Sequence, residues 1–420
     1  MADIFLVYTM LSPIIFAVIG NYVKLNENFI RTFFLILGPG LIACAIYLST
    51  FRFFALRRNS HIIIPFACLT FIIILSSLKN LDSNYTKESL KFFIAYCALG
   101  FLFGMSAKFT IKRARIFLTI WIYYILPIIL FCLYLYSNHG YLNSRFTLPG
   151  DNPARTAALF FFFTFCGLTN FMLSRTVAPK FFWGFISAIC VVIGVASNTR
   201  SAILVFGMTL FSYVLFQIFQ SETKFERSSL ISFMSAFTVV CCLIWFLVID
   251  SNIKNRIITI INLPGQTFAY IFEKDQEAYK NIVRLPILRD AITKFKANPI
   301  FGSGFGSEYY SEVIWKKFTH PHNIILQFLA ETGIIGLGAF FIFIISVIRQ
   351  AICSYRSLRA RTDKLTYIFL PLSFVFFLMF SCFHFAIHEN YFFWYFAGII
   401  VGFETRENGK GSPRKGTELH

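Results

Sequence analysis

Long apolar runs recur along this chain, and each is close to the length that crosses a bilayer. They cover residues 4–21, 33–50, 61–78, 92–107, 116–136, 156–173, 181–197, 201–219, 230–249, 333–348, 366–383 and 391–403. A helix crossing ~30 Å of hydrocarbon needs about 20 apolar residues, and only helices and closed barrels satisfy their own peptide groups there. The runs are continuous rather than alternating, which argues against barrel strands. Composition agrees: 57% of the 420 residues are hydrophobic and 14% are charged, against roughly 45–50% and 25% in a soluble domain. The reading is all-α, a polytopic membrane protein of about twelve transmembrane helices. An ordinary soluble enzyme, a disordered chain and a disulfide scaffold are excluded.

The chain carries 38 Lys and Arg against 20 Asp and Glu, a formal charge of +18. On a soluble protein that balance would point to nucleic acid. On this one it follows from the enrichment of cytoplasmic loops in Lys and Arg, so no nucleic-acid partner is expected. With the N-terminus inside, twenty of the basic residues fall in inner segments and eight in short outer ones. The other ten lie in one long outer loop, which the positive-inside rule discounts. Both termini are therefore expected to be cytoplasmic, with the run from Ile4 retained as a first span. The ten cysteines lie almost entirely in apolar runs, with no CxxC or Cys/His metal spacing, and read as small hydrophobes.

Four segments follow: transmembrane helices 1–9 over residues 1–249, the long loop over 250–332, helices 10–12 over 333–403, and a polar, disordered tail over 404–420. A loop of that length is expected to hold structure or function. Leu285-Pro286 opens a helix, since Pro suits the first turn. The run Ile287 to Phe295 has helical spacing, and Asn298-Pro299 ends it. Phe301-Gly302-Ser303-Gly304-Phe305-Gly306 reads as a tight turn with unusual backbone angles. A second helix starts near His322-Asn323, and Gly333 caps it or lets it bend.

His322, in the run Thr319-His320-Pro321-His322-Asn323, is the leading candidate for chemistry, because histidine is the usual general base near neutral pH. His320 competes with it; a capping or interfacial role is the plain alternative. Arg200, in a short polar turn between two apolar spans, is costly there unless paired or facing an aqueous cavity, and its guanidinium fork matches phosphate; an arginine snorkelling to the interface is the plain alternative. Arg284, Arg289, Arg145 and Arg155 are outer-loop arginines that suit either phosphate binding or a solvated surface. His384 and His388 share a helical spacing, but two histidines with Glu389 make a poor metal site, so no metal is expected. The glycine triplet lacks the strand and lysine of a nucleotide loop. Tyr309, Tyr310 and Trp315 suit interface anchoring or stacking on sugars.

Taken in order, these pieces resemble the O-antigen ligase and polymerase superfamily of bacterial inner membranes. The resemblance is carried by Thr199-Arg200-Ser201, by Arg284 with Asn298-Pro299-Ile300-Phe301-Gly302-Ser303-Gly304, and by His322-Asn323-Ile324-Ile325-Leu326-Gln327 with Glu331-Thr332-Gly333-Ile334-Ile335-Gly336. The run Leu285-Pro286-Ile287-Leu288 departs from it, since many relatives place a Trp there. The resemblance implies a glycosyltransferase without cofactor or metal, working at the periplasmic face, so that the long loop is periplasmic. It implies His322 as the catalytic base, and Arg200, Arg284 and, less firmly, Arg145 as holders of the donor diphosphate. Arg289, His320 and Asn323 are further candidates. The implied partners are undecaprenyl-diphosphate-linked O-antigen, lipid A-core oligosaccharide and membrane lipids. A ligase is the reading preferred here. An O-antigen polymerase is the alternative within the superfamily, and a lipid-linked sugar flippase the alternative of another class.

Overall fold

A computed structural model of the chain describes residues 59–106, 109–120, 126, 129–130, 153–197, 199–220, 284–311, 316–318, 320–384, 386–387 and 390–404. The spans expected at 4–21, 33–50 and 230–249, much of 116–136, Arg145, and the His388-Glu389 pair lie outside these residues. The described helices are α1 (Ser60–Ser77), α2 (Asn84–Phe92), α3 (Leu99–Ser106), α4 (Pro153–Leu173), α5 (Val177–Ala196), α6 (Arg200–Gln220), α7 (Arg284–Ala297), α8 (Ile324–Ser357), α9 (Arg361–Ser381) and α10 (Tyr391–Val401). A π-helical turn, Phe93–Ala98, joins α2 to α3. One two-stranded antiparallel ribbon pairs β1 (Tyr309–Ser311) with β2 (Lys316–Phe318), Tyr309 facing Phe318.

Among the described residues five helices are long and apolar enough to cross a membrane: α1 with its short extension, α4, α5, α8 and α9. Ser201–Leu215 and α10 are shorter apolar helices. α4 opens on Pro153, where a missing N–H costs nothing. It is apolar all round and buried along almost its whole length, the pattern of a central helix. Its few polar groups find partners inside: Thr164 and Thr169 donate to the carbonyls of Phe160 (3.0 Å) and Phe165 (2.8 Å), and Asn170 to that of Leu118 (2.9 Å). Phenylalanine fills the space around it. Phe161 stacks on Phe206 of α6 at 4.3 Å, and Phe162 meets Phe377 of α9 and Phe396 of α10. Trp394 of α10 is fully buried between Phe66, Phe93 and Phe343.

The long-range polar contacts sort to two ends of this bundle. At one end the Asn59 amide donates to the Val401 carbonyl (3.2 Å), Glu404 N–H donates to the Phe109 carbonyl (2.8 Å), and Arg115 pairs with Asp363 (2.8 Å). At the other end, residues 79–86, 298–308, 320–332 and 384–387 meet. The sequence reading assigns the first set to inner loops and the second to outer ones.

Candidate active site

The second end is organised by a break in α8. Gly333 has φ 67° and ψ −167°, a conformation open to glycine and to almost nothing else. A break there releases two carbonyls behind it and two N–H groups ahead of it, and unpaired peptide groups are costly to bury. The 298–308 loop supplies all four partners. Ile334 and Ile335 N–H donate to the carbonyls of Pro299 (2.9 Å) and Ile300 (3.4 Å), while Ser303 and Gly304 N–H donate to those of Ala330 (2.7 Å) and Glu331 (3.0 Å). The approach is close enough that a Cβ at Gly302 would run into the Glu331–Thr332 peptide. Gly302, Gly304 and Gly306 all have positive φ, as the tight turn requires.

The loop's other side rests on the segment after α1. Lys79 Nζ donates to the Gly302 carbonyl (2.7 Å), Asn80 Nδ2 to that of Ser303 (3.1 Å), and Thr86 Oγ1 to that of Gly306 (3.1 Å). Phe305 is fully buried and meets Phe93 of the π-helical turn edge-on at 6.0 Å. The loop is thus held between two helical supports.

Beneath it lies a buried carboxyl. Glu331 accepts from Gly306 N–H (3.0 Å), the Tyr309 hydroxyl (3.0 Å) and Gln327 Nε2 (2.9 Å). Gln327 Oε1 in turn accepts from Ile387 N–H (2.9 Å), in the connection between α9 and α10. Two helical residues four apart therefore tie the glycine loop, β1 and the α9–α10 connection together. Burial, with the Glu331 carboxyl beside it, pushes the Tyr309 hydroxyl pKa well above its usual 10. The Tyr309 ring also packs on Ile287 and Ala291 of α7 and carries Lys294 Nζ 4.3 Å from its centroid. Asp290 of α7 holds Lys294 (3.0 Å) and accepts from Tyr310 N–H (3.0 Å), fixing the helix to the ribbon.

His322 stands at the head of α8. It is the one non-glycine with positive φ (56°) among the described residues, a strained backbone of the kind that collects at functional sites. Its Nδ1 lies 3.3 Å from the carbonyl oxygen of His384, and His320 Nε2 lies 3.2 Å from the same oxygen. A carbonyl only accepts, so both nitrogens carry hydrogen in this arrangement. In neutral His322 that places the basic lone pair on Nε2. The rings of His320 and His322 meet edge-on at 4.3 Å, and that of His384 lies 5.9 Å from His322. Asn323 caps α8, its side chain accepting from Leu326 N–H (3.0 Å).

Of the remaining sequence candidates, Arg200 and Arg284 are the first residues of α6 and α7. Arg289 is exposed on α7, and Arg155 is half-buried in the first turn of α4. Among the described residues no group of three His, Cys, Asp or Glu is placed to hold a metal ion. Sequence reasoning gave Gln327 and Glu331 only as parts of a motif and Tyr309 only as an outer aromatic, and it assigned neither them nor the His384 carbonyl a role in holding this end together. A signal existed for the first two: a polar pair four apart in an apolar helix calls for a buried partner.

The class defined here is a polytopic helical membrane protein with a polar, histidine-bearing site at one end of its bundle. Residues 185–341 match the family model described as O-antigen ligase, consistent with a member of that family. The matched stretch takes in Arg200, Arg284, the glycine loop, His322 and Gly333. The match supports the resemblance to the O-antigen ligase and polymerase superfamily read from the sequence. No curated protein matches the chain.

Proposed function

We propose that the chain is an O-antigen ligase, transferring a polysaccharide from undecaprenyl diphosphate to a sugar hydroxyl of lipid A-core at the periplasmic face of the bacterial inner membrane. The observation that carries this reading is His322 at the mouth of a membrane helix, its Nδ1 turned to the His384 carbonyl, inside the stretch that matches the family. The acceptor hydroxyl gives its proton to His322 Nε2. The acceptor oxygen forms the new bond at the anomeric carbon from the face opposite the diphosphate. The anomeric C–O bond breaks, undecaprenyl diphosphate leaves with the electron pair, and the configuration inverts.

A diphosphate is already a good leaving group, so the protein's tasks are to take one proton and to stabilise developing charge. Arg200 and Arg284 serve the second task, with Arg145 and Arg289 as outer contributors; an arginine fork suits phosphate oxygens without being consumed. His320 braces the His322 ring, and Asn323 fixes the helix start beneath it.

The test is a lipopolysaccharide gel of a strain lacking the gene, beside the strain rescued with wild type or with His322→Ala. A ligase predicts loss of every O-antigen band, with long glycan retained on the lipid carrier, and no rescue by a His322→Ala protein that still inserts. General-base catalysis contributes ~10²–10⁴-fold, so turnover falls by about that factor. Core bearing a single repeat would replace the ligase with the polymerase. Full rescue by His322→Ala would remove the base and favour a flippase.

A further inference from the structure

The glycine loop carries two phenylalanines with opposite fates. Phe305 is fully buried, whereas Phe301 is 60% exposed and its neighbour Ile300 54% exposed. Leaving such side chains in water forgoes the gain of burying apolar surface. Their backbone has no freedom to turn them inward, because the carbonyls of Pro299 and Ile300 are bound to Ile334 and Ile335 N–H.

Ile334 and Ile335 are exposed as well, and they head a stripe on α8. Phe341, Ile342, Ile345, Ile348 and Ile352 are exposed at helical spacing below them. Ile352 lies eighteen positions beyond Ile334, roughly 27 Å of helix at 1.5 Å per residue, against a hydrocarbon core of ~30 Å. Arg356 follows one turn beyond Ile352, where a cation reaches the opposite headgroups. If this stripe faces lipid, Ile334 lies at the outer rim of the hydrocarbon. The Ile300–Phe301 tip, bonded sideways to that turn, lies at the same depth.

We infer that the Ile300–Phe301 tip is a membrane-docking surface, seated among the acyl chains of the bilayer's outer-side leaflet and continuous with the lipid face of α8. Its occupant is bulk lipid, and its effect is to hold the glycine loop at headgroup depth. The inference rests on α8 crossing the membrane, and it stands apart from the choice of reaction.

The experiment places p-benzoylphenylalanine at position 301 or at exposed position 308 of the full chain, in phosphatidylethanolamine–phosphatidylglycerol vesicles free of polyprenyl lipid. Irradiation is followed by mass spectrometry, and size-exclusion behaviour matching wild type qualifies each sample. Phospholipid adducts at 301, at least tenfold above those at 308, are expected. Equal yields at the two positions, or adducts at 301 only to protein, would overturn the inference. Adducts at 301 that require added polyprenyl phosphate would also overturn it, assigning the surface to a donor tail. Because the readout is not activity, lipid adducts on a chain without transferase activity would sink the proposed reaction and leave the docking surface standing.

Discussion

Gly333→Ala tests whether the break in α8 holds the glycine loop in place. At φ 67° and ψ −167° an alanine is strained by about 1–3 kcal/mol. Its Cβ would also run into the Ile300 carbonyl. The helix has an escape. If residue 333 turns helical, Ile334 N–H bonds to the Ala330 carbonyl, which Ser303 N–H now occupies. Alanine favours that state over glycine by a further ~1 kcal/mol. Together these shift loop docking by roughly 2–4 kcal/mol, a roughly 30- to 700-fold fall in the ratio of docked to undocked loop at 1.4 kcal/mol per decade. Hydrogen exchange in nanodiscs reads this directly. Amides of Ser303, Gly304 and Gly306 should exchange at least tenfold faster in the variant, while α4 peptides stay as protected as in wild type. Glycan transfer should fall in parallel. Unchanged protection across residues 301–308 would refute the argument, because it would mean that the loop does not depend on the broken helix.

Glu331→Ala strands three buried donors at about 1–3 kcal/mol each, so thermal unfolding in detergent should fall well below that of Glu331→Gln, which keeps one acceptor oxygen; equal losses would discount the network. For Tyr309 the raised pKa means that the fold prefers the neutral phenol. Its contribution is whole below roughly pH 10 and is lost as pH rises from there toward the folded value. Wild type should therefore lose loop protection above about pH 10 more steeply than Tyr309→Phe, and matching alkaline profiles would count against the assignment.

What could be read in advance was what proline and glycine write locally. Leu285-Pro286 and Asn298-Pro299 bracket α7, which runs Arg284–Ala297, and the glycine triplet and Gly333 all adopt positive φ. The described spans start and stop within a few residues of the apolar runs, with α8 the exception. It extends from Ile324 to Ser357 rather than over 333–348. Hydropathy falls at Gln327 and Glu331 on one side and at Arg349 on the other, but helical bonding continues wherever polar groups find partners or reach water. The partners of the site were not legible, for a related reason. Lys79, Asn80 and Thr86 meet the loop more than two hundred residues away in sequence. The group that orients His322 is a peptide carbonyl, which no side-chain pattern announces.

Irregular backbone beside a bilayer persists only where protein satisfies its peptide groups. The 298–308 loop meets that condition by taking up the groups that the break in α8 sets free, so each irregularity resolves the other. Gln327 and Glu331, one and two turns below His322 and Asn323, then carry that order across to Ile387, three residues from the carbonyl that holds both histidines. In the proposed reaction a proton acceptor must meet a diphosphate at the hydrocarbon rim, where a mobile loop would misplace it and ångström-scale displacement costs orders of magnitude in rate. A broken helix whose own released bonds clamp the loop supplies that rigidity. Substitutions at Gln327 or Glu331 should therefore lower turnover even though neither side chain lies among the histidines.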